Sequence, residues 1–133
     1  MTKVRDFVFA MTFGFLLTHE LDAVRCFEWR ILPLTRFLPE NIAMAVFILA
    51  HIPLFGYLSH VCWSQNFTTR YFAQRMFAGF SCVHVGLHWL FRDDPNYFFV
   101  GWLSNGLIGG AGFAGALFLL MAWQDSRTHD HRS

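Results

Sequence analysis

Charge is scarce along this chain. Lys, Arg, Asp and Glu make up 14% of the 133 residues, against roughly 25% in soluble domains. The charge that exists balances to a formal +1, with no basic patch interleaved with aromatics. That gives no support to nucleic-acid binding. Cysteine is equally thin. Cys26, Cys62 and Cys82 are odd in number and match no metal or redox spacing, so they read as small buried apolar residues. The chain also lacks a nucleotide-binding loop, a dinucleotide fingerprint and a serine–histidine hydrolase motif. Its apolar runs are too long for strands and do not alternate.

What is abundant is apolar surface. Hydrophobic residues reach 55%, aromatics 19%, and the mean hydropathy is +0.38. A chain this short cannot hide so much apolar area from water, so lipid must cover part of it. A crossing helix needs about 20 mostly apolar residues, and four stretches qualify, near residues 6–29, 41–62, 71–91 and 98–123. The expectation is an all-α protein, a four-transmembrane-helix bundle running up-down-up-down over residues 1–124, with a polar tail at 125–133. Pro33 and Pro39, then Ser64-Gln65-Asn66, then Arg92 to Asn96, mark the breaks. Lys3 and Arg5 precede an apolar run without a small-residue cleavage site, so that run reads as the first crossing rather than a signal peptide. Six basic residues (Lys3, Arg5, Arg70, Arg75, Arg127, Arg132) fall on the side of the termini, side A. Arg25, Arg30, Arg36 and Arg92 fall on side B, which places both termini in the cytoplasm. The five tryptophans lie near predicted helix ends, as an interfacial belt requires.

The first helix cannot cross without taking His19, Glu20 and Asp22 into the membrane. Ionisable groups at that depth cost several kcal/mol unless paired or turned inward. At about 100° per residue, Asp22 shares a sector with His19, whereas Glu20 lies to one side and Glu28 opposite, near enough to pair with Arg25. His51 stands mid-helix 2 before Pro53. His84 and His88 are four apart on one face of helix 3. Asn105 shares a glycine-rich face of helix 4 with Gly101, Gly109 and Gly112, so it is expected to point inward. Most of these residues fall in one layer, roughly 10–15 Å below side B at 1.5 Å per residue. Imidazoles and a carboxylate suit Zn²⁺, Fe²⁺ or Mn²⁺. The expected ligands are His19, His51, His84 and His88, with Asp22 or Glu20 as a further ligand or a general base.

Plainer readings stand beside this one. The histidines can form structural hydrogen bonds, and Asp22 can simply neutralise Arg25. His60 reads as interfacial, and His129 with His131 as a chance pair in the tail. Gly106, Gly110 and Ala114 can pack within the bundle or form a dimer face. The chain can accordingly be a metal-dependent enzyme acting on a lipid-soluble substrate. It can instead be a non-catalytic accessory subunit whose histidines ligate haem or a pigment, with a membrane-protein partner or a second copy on helix 4.

His19-Glu20-Leu21-Asp22-Ala23 followed by Glu28-Trp29-Arg30 resembles the signature of an uncharacterised family of small bacterial four-helix membrane proteins. His51-Ile52-Pro53, His84 with His88, Asn96-Tyr97-Phe98 and Ser104 continue it over nearly the whole chain. The resemblance implies the same fold and a bacterial inner membrane. It adds Glu28 as a residue of interest, and Ser104 beside Asn105 as a cofactor-binding candidate. It assigns no activity.

Overall fold

A computed structural model describes residues 2–130. These residues form four helices and no strand: α1 (Thr2–Arg25), α2 (Glu40–Cys62), α3 (Phe67–Phe91) and α4 (Trp102–Asp130), with a 3-10 turn at Glu28–Arg30 after α1. Pro39 ends the α1–α2 connection and opens α2. Asn66 caps α3 by accepting a hydrogen bond from the Thr69 amide. α2 runs through Pro53 without losing its helical state.

Several helix ends differ from expectation. α1 stops four residues early because Phe27 adopts a left-handed conformation, φ 55°, which a side chain carrying Cβ takes only when its surroundings enforce it. α4 begins at Trp102, after Gly101 at φ +97°, a conformation that favours glycine. At its other end α4 continues helical into the expected tail as far as Asp130. The imidazoles of His129 and His131, and Arg132, lie outside the described side chains.

α1, α3 and α4 form a tight core. Phe9 of α1 meets Phe118 of α4 and Phe77 of α3, and Arg5 bonds Asp125 at 2.9 Å. Gly115 brings α4 against the backbone of α3: a Cβ there would lie 2.8 Å from the Ala78 carbonyl oxygen. Gly110 and Ala114 pack inside the bundle, while Gly106 faces open space.

α2 stands apart. Its apolar side chains, among them Ile42, Leu49, Ile52 and Tyr57, are largely exposed. α1, α2 and α4 are long and apolar enough to cross a membrane. α3 has the length, but Arg70, Gln74, Arg75, His84 and His88 keep it below the same threshold, so three of the four expected crossings meet it. Trp63, Trp89, Trp102 and Trp123 are exposed. Trp29 departs from the expected belt: the 3-10 turn buries it, and its Nε1–H donates to Glu40.

Candidate metal centre

Two apolar clusters occupy the ends of the bundle, one around Phe9, Phe77 and Phe118, the other around Trp29, Phe47, Phe99 and Ile108. Polar side chains gather between them. α1 supplies His19, and α3 supplies His84 and His88 from successive turns; all three are buried. His88 Nε2 lies 3.1 Å from His19 Nε2 and 3.1 Å from His84 Nε2. One ligand nitrogen from each ring lies within 4.8 Å of the others. A neutral imidazole carries a single N–H, so hydrogen bonds alone serve this three-way meeting poorly. With Zn–N bonds near 2.0–2.1 Å, nitrogens held tetrahedrally on one ion stand roughly 3.3 Å apart. The two spacings about His88 Nε2 are close to that.

Tyr97, just before α4, orients the group. Its hydroxyl lies 3.1 Å from His88 Nδ1. With Nδ1 donating, the lone pair of Nε2 is left facing the other two rings, as ligand histidines require. Burial raises the phenol of Tyr97 above its ordinary pKa, so it stays protonated. His19 is fully buried and its Nδ1 has no hydrogen-bond partner, a state that a core designed only for stability would avoid.

The other candidates separate into two further groups. Asp22 is buried and fully engaged: it accepts from the Ser104 hydroxyl at 2.5 Å and from Arg25 at 2.7 Å, with the Cys26 thiol also against it. The plainer reading, in which Asp22 neutralises Arg25, matches this geometry. Ser104 faces Asp22 rather than the imidazoles. Asn105 corrects the expectation of an inward group. It is exposed and donates to the Gly101 carbonyl, because the buried stripe of α4 runs through Ser104, Ile108, Ala111, Phe118 and Ala122 and leaves Asn105 to one side.

His51 does not join the three histidines. Its Nε2 lies 3.0 Å from Glu20 Oε2, and its Nδ1 is 2.6 Å from the Phe47 carbonyl. That bridge spans from α1 to α2 beside a cleft of about 1090 Å³, whose wall also includes Glu28, His84 and His88. Glu28 was expected to pair with Arg25. It is instead 7% exposed, and its Oε2 has no hydrogen-bond partner. Burial, reinforced by the nearby Glu20, pushes its carboxyl up to about 8, so it is largely protonated at neutral pH. The helical wheel missed this because α1 ends before Glu28, and the 3-10 turn re-aims the side chain. Tyr97 carried no role in the sequence reading, since its partner His88 is brought to it only by the fold.

A model for a family of unknown function (DUF6713) matches residues 5–125, and the chain belongs to that family. No curated protein and no solved structure matches it.

Proposed function

From membership of a family without an assigned activity, we propose that this chain is an integral membrane protein. It holds one transition-metal ion on His19, His84 and His88, beside a cleft that admits a lipid-soluble substrate. The observation that carries this reading is the convergence of three Nε2 atoms from two helices. Three protein nitrogens leave a coordination position free, the arrangement of catalytic rather than structural sites. Zn²⁺, Fe²⁺ and Mn²⁺ all accept such a donor set. A bound ion would supply Lewis acidity; Tyr97 holds His88 in orientation, and Glu20 with His51 forms a hydrogen-bonded bridge beside the cleft. Nitrogens this close favour a bare ion over a haem or pigment macrocycle, which needs open space above each axial ligand.

Membrane insertion is supported by the exposed apolar face of α2, which would be an aggregation surface in water. In this reading α3 crosses with the other three helices and turns its histidines toward α1. Side A, with its basic excess, faces the cytoplasm.

The test is elemental analysis of the full chain purified in detergent without chelators. About one transition-metal ion per chain is expected, falling below a tenth in His84→Ala with retained helicity. A metal-free preparation that also fails to take up added Zn²⁺, Fe²⁺ or Mn²⁺ would sink the proposal.

A further inference from the structure

Glu28 is the group that the metal reading leaves unexplained. It comes from the 3-10 turn rather than from a long helix. Its carboxyl is more than nine-tenths buried, one oxygen is unpartnered, and the residue lines the large cleft. A buried carboxyl without a partner is destabilising, and here the neighbouring wall groups, Glu20 and His51, already bond each other. Something entering the cleft would complete its hydrogen bonding.

The cleft limits what that can be. Its wall runs along α3 from Thr68 to Phe91, roughly 35 Å at 1.5 Å per residue. Its volume of about 1090 Å³ lies just above the usual range for small-molecule sites, about 300–1,000 Å³. Most of the wall is apolar: Leu54, Leu58, Phe72, Met76 and Phe80 come from α2 and α3. The polar groups on the wall are concentrated toward the Glu28 end, with Thr68 and Thr69 far away along α3. The shape fits one long hydrocarbon chain with a small polar head.

Charge selects the head. The wall contains no Lys or Arg, and two of its residues are glutamates, so in the chain without metal a carboxylate or phosphate head has no cation to meet except the His51 already bonded to Glu20. A protonated carboxyl is a hydrogen-bond donor. The last torsion of a glutamate is broad, so Glu28 can turn its O–H into the cleft. A hydroxyl head would accept that hydrogen and offer its own to the Glu20 carboxylate. We propose that the cleft binds an uncharged, single-chain lipid alcohol, its hydroxyl seated between Glu28 and Glu20 and its chain lying between α2 and α3. That this alcohol is the substrate class rests on the metal reading; that it binds does not.

Native mass spectrometry of the full chain in detergent, with hexadecanol, hexadecanoate or hexadecane at equal concentration, tests the proposal. One hexadecanol per chain is expected, bound at least tenfold more tightly than either of the others. Glu28→Leu should weaken hexadecanol about tenfold, the loss of one good hydrogen bond. Glu28→Gln, which keeps a donor, should hold it within about threefold. Ala50→Trp, which fills the cleft from α2, should block it. Metal content measured on the same samples should not change in Glu28→Leu, and metal-free His84→Ala should still bind hexadecanol, so the two proposals fail separately. Hexadecanoate or hexadecane binding as well as hexadecanol, or Glu28→Leu retaining full affinity, overturns the assignment.

Discussion

Two buried polar groups sit side by side on α1, and they are built in opposite ways. Around Asp22 the acceptors have donors: Ser104, Arg25 and the Cys26 thiol surround one carboxylate. Around His19 nothing is completed. Three imidazole nitrogens meet, and the remaining nitrogen of His19 is buried without a partner. A satisfied cluster contributes to stability and ties α1 to α4. An unsatisfied one is destabilising in the bare protein; an ion on the three Nε2 atoms would complete their meeting and leave the His19 Nδ1–H still in need of an acceptor. Completeness of hydrogen bonding therefore separates the structural polar group from the proposed site, even when both lie on one helix.

The sharpest way to break the comparison is His88→Ala. Removing the nitrogen shared by the other two should lower metal affinity more than a hundredfold in competition with a chelator, without loss of fold. Unchanged affinity would place the three histidines in the same class as Asp22. Next in size is a pH effect. The Glu28 carboxyl rises from 4.5 to about 8 in the folded protein, so between these values the folded state keeps a proton that the unfolded state has released. Stability drawn from this group is complete below about pH 4.5 and is lost as pH rises toward 8, by about 1.4 kcal/mol per pH unit. Thermal unfolding of wild type against Glu28→Gln should show this slope in the difference, and parallel curves would exclude it.

Asp22→Ala reverses the first experiment. Loss of hydrogen bonds to a buried carboxylate should cost about 2 kcal/mol of stability while metal content stays within twofold; loss of the metal together with stability would merge the two groups. The smallest effect expected is that of Tyr97→Phe. Deleting the hydroxyl against His88 Nδ1 should weaken metal binding about tenfold, at the low end for partners of ligand histidines, and leave the unfolding temperature of the metal-free protein nearly unchanged. Equal metal affinity in the variant and the wild type would remove Tyr97 from the site.

Much of this was legible in the sequence because hydrocarbon imposes strict rules. Long apolar runs announced the helices, and the cost of burying His19 required it to turn inward, where His84 and His88 meet it. The i, i+4 spacing of the last two anticipated their stacking. Part of what could not be read came from the turns. Phe27 has no residue-type signature for a left-handed conformation, yet it ends α1 and sends Glu28 and Trp29 inward. The glycine face of α4 suggested Asn105, but the buried stripe follows Ser104, Ile108 and Ala111 instead. His51 was grouped with the others by depth alone, but depth does not determine distance from the bundle axis, and on α2 its imidazole meets Glu20 instead of the other three.

The outlying position of α2 also bears on how ligand binding would be measured. In the proposed membrane setting, a cleft bounded by the outlying α2 would take its ligand sideways from the leaflet instead of from the aqueous phase. Occupancy then follows the ligand's mole fraction among the lipids rather than its concentration in the buffer. Diluting a preparation with water would leave occupancy unchanged, whereas adding inert phospholipid at constant protein would lower it.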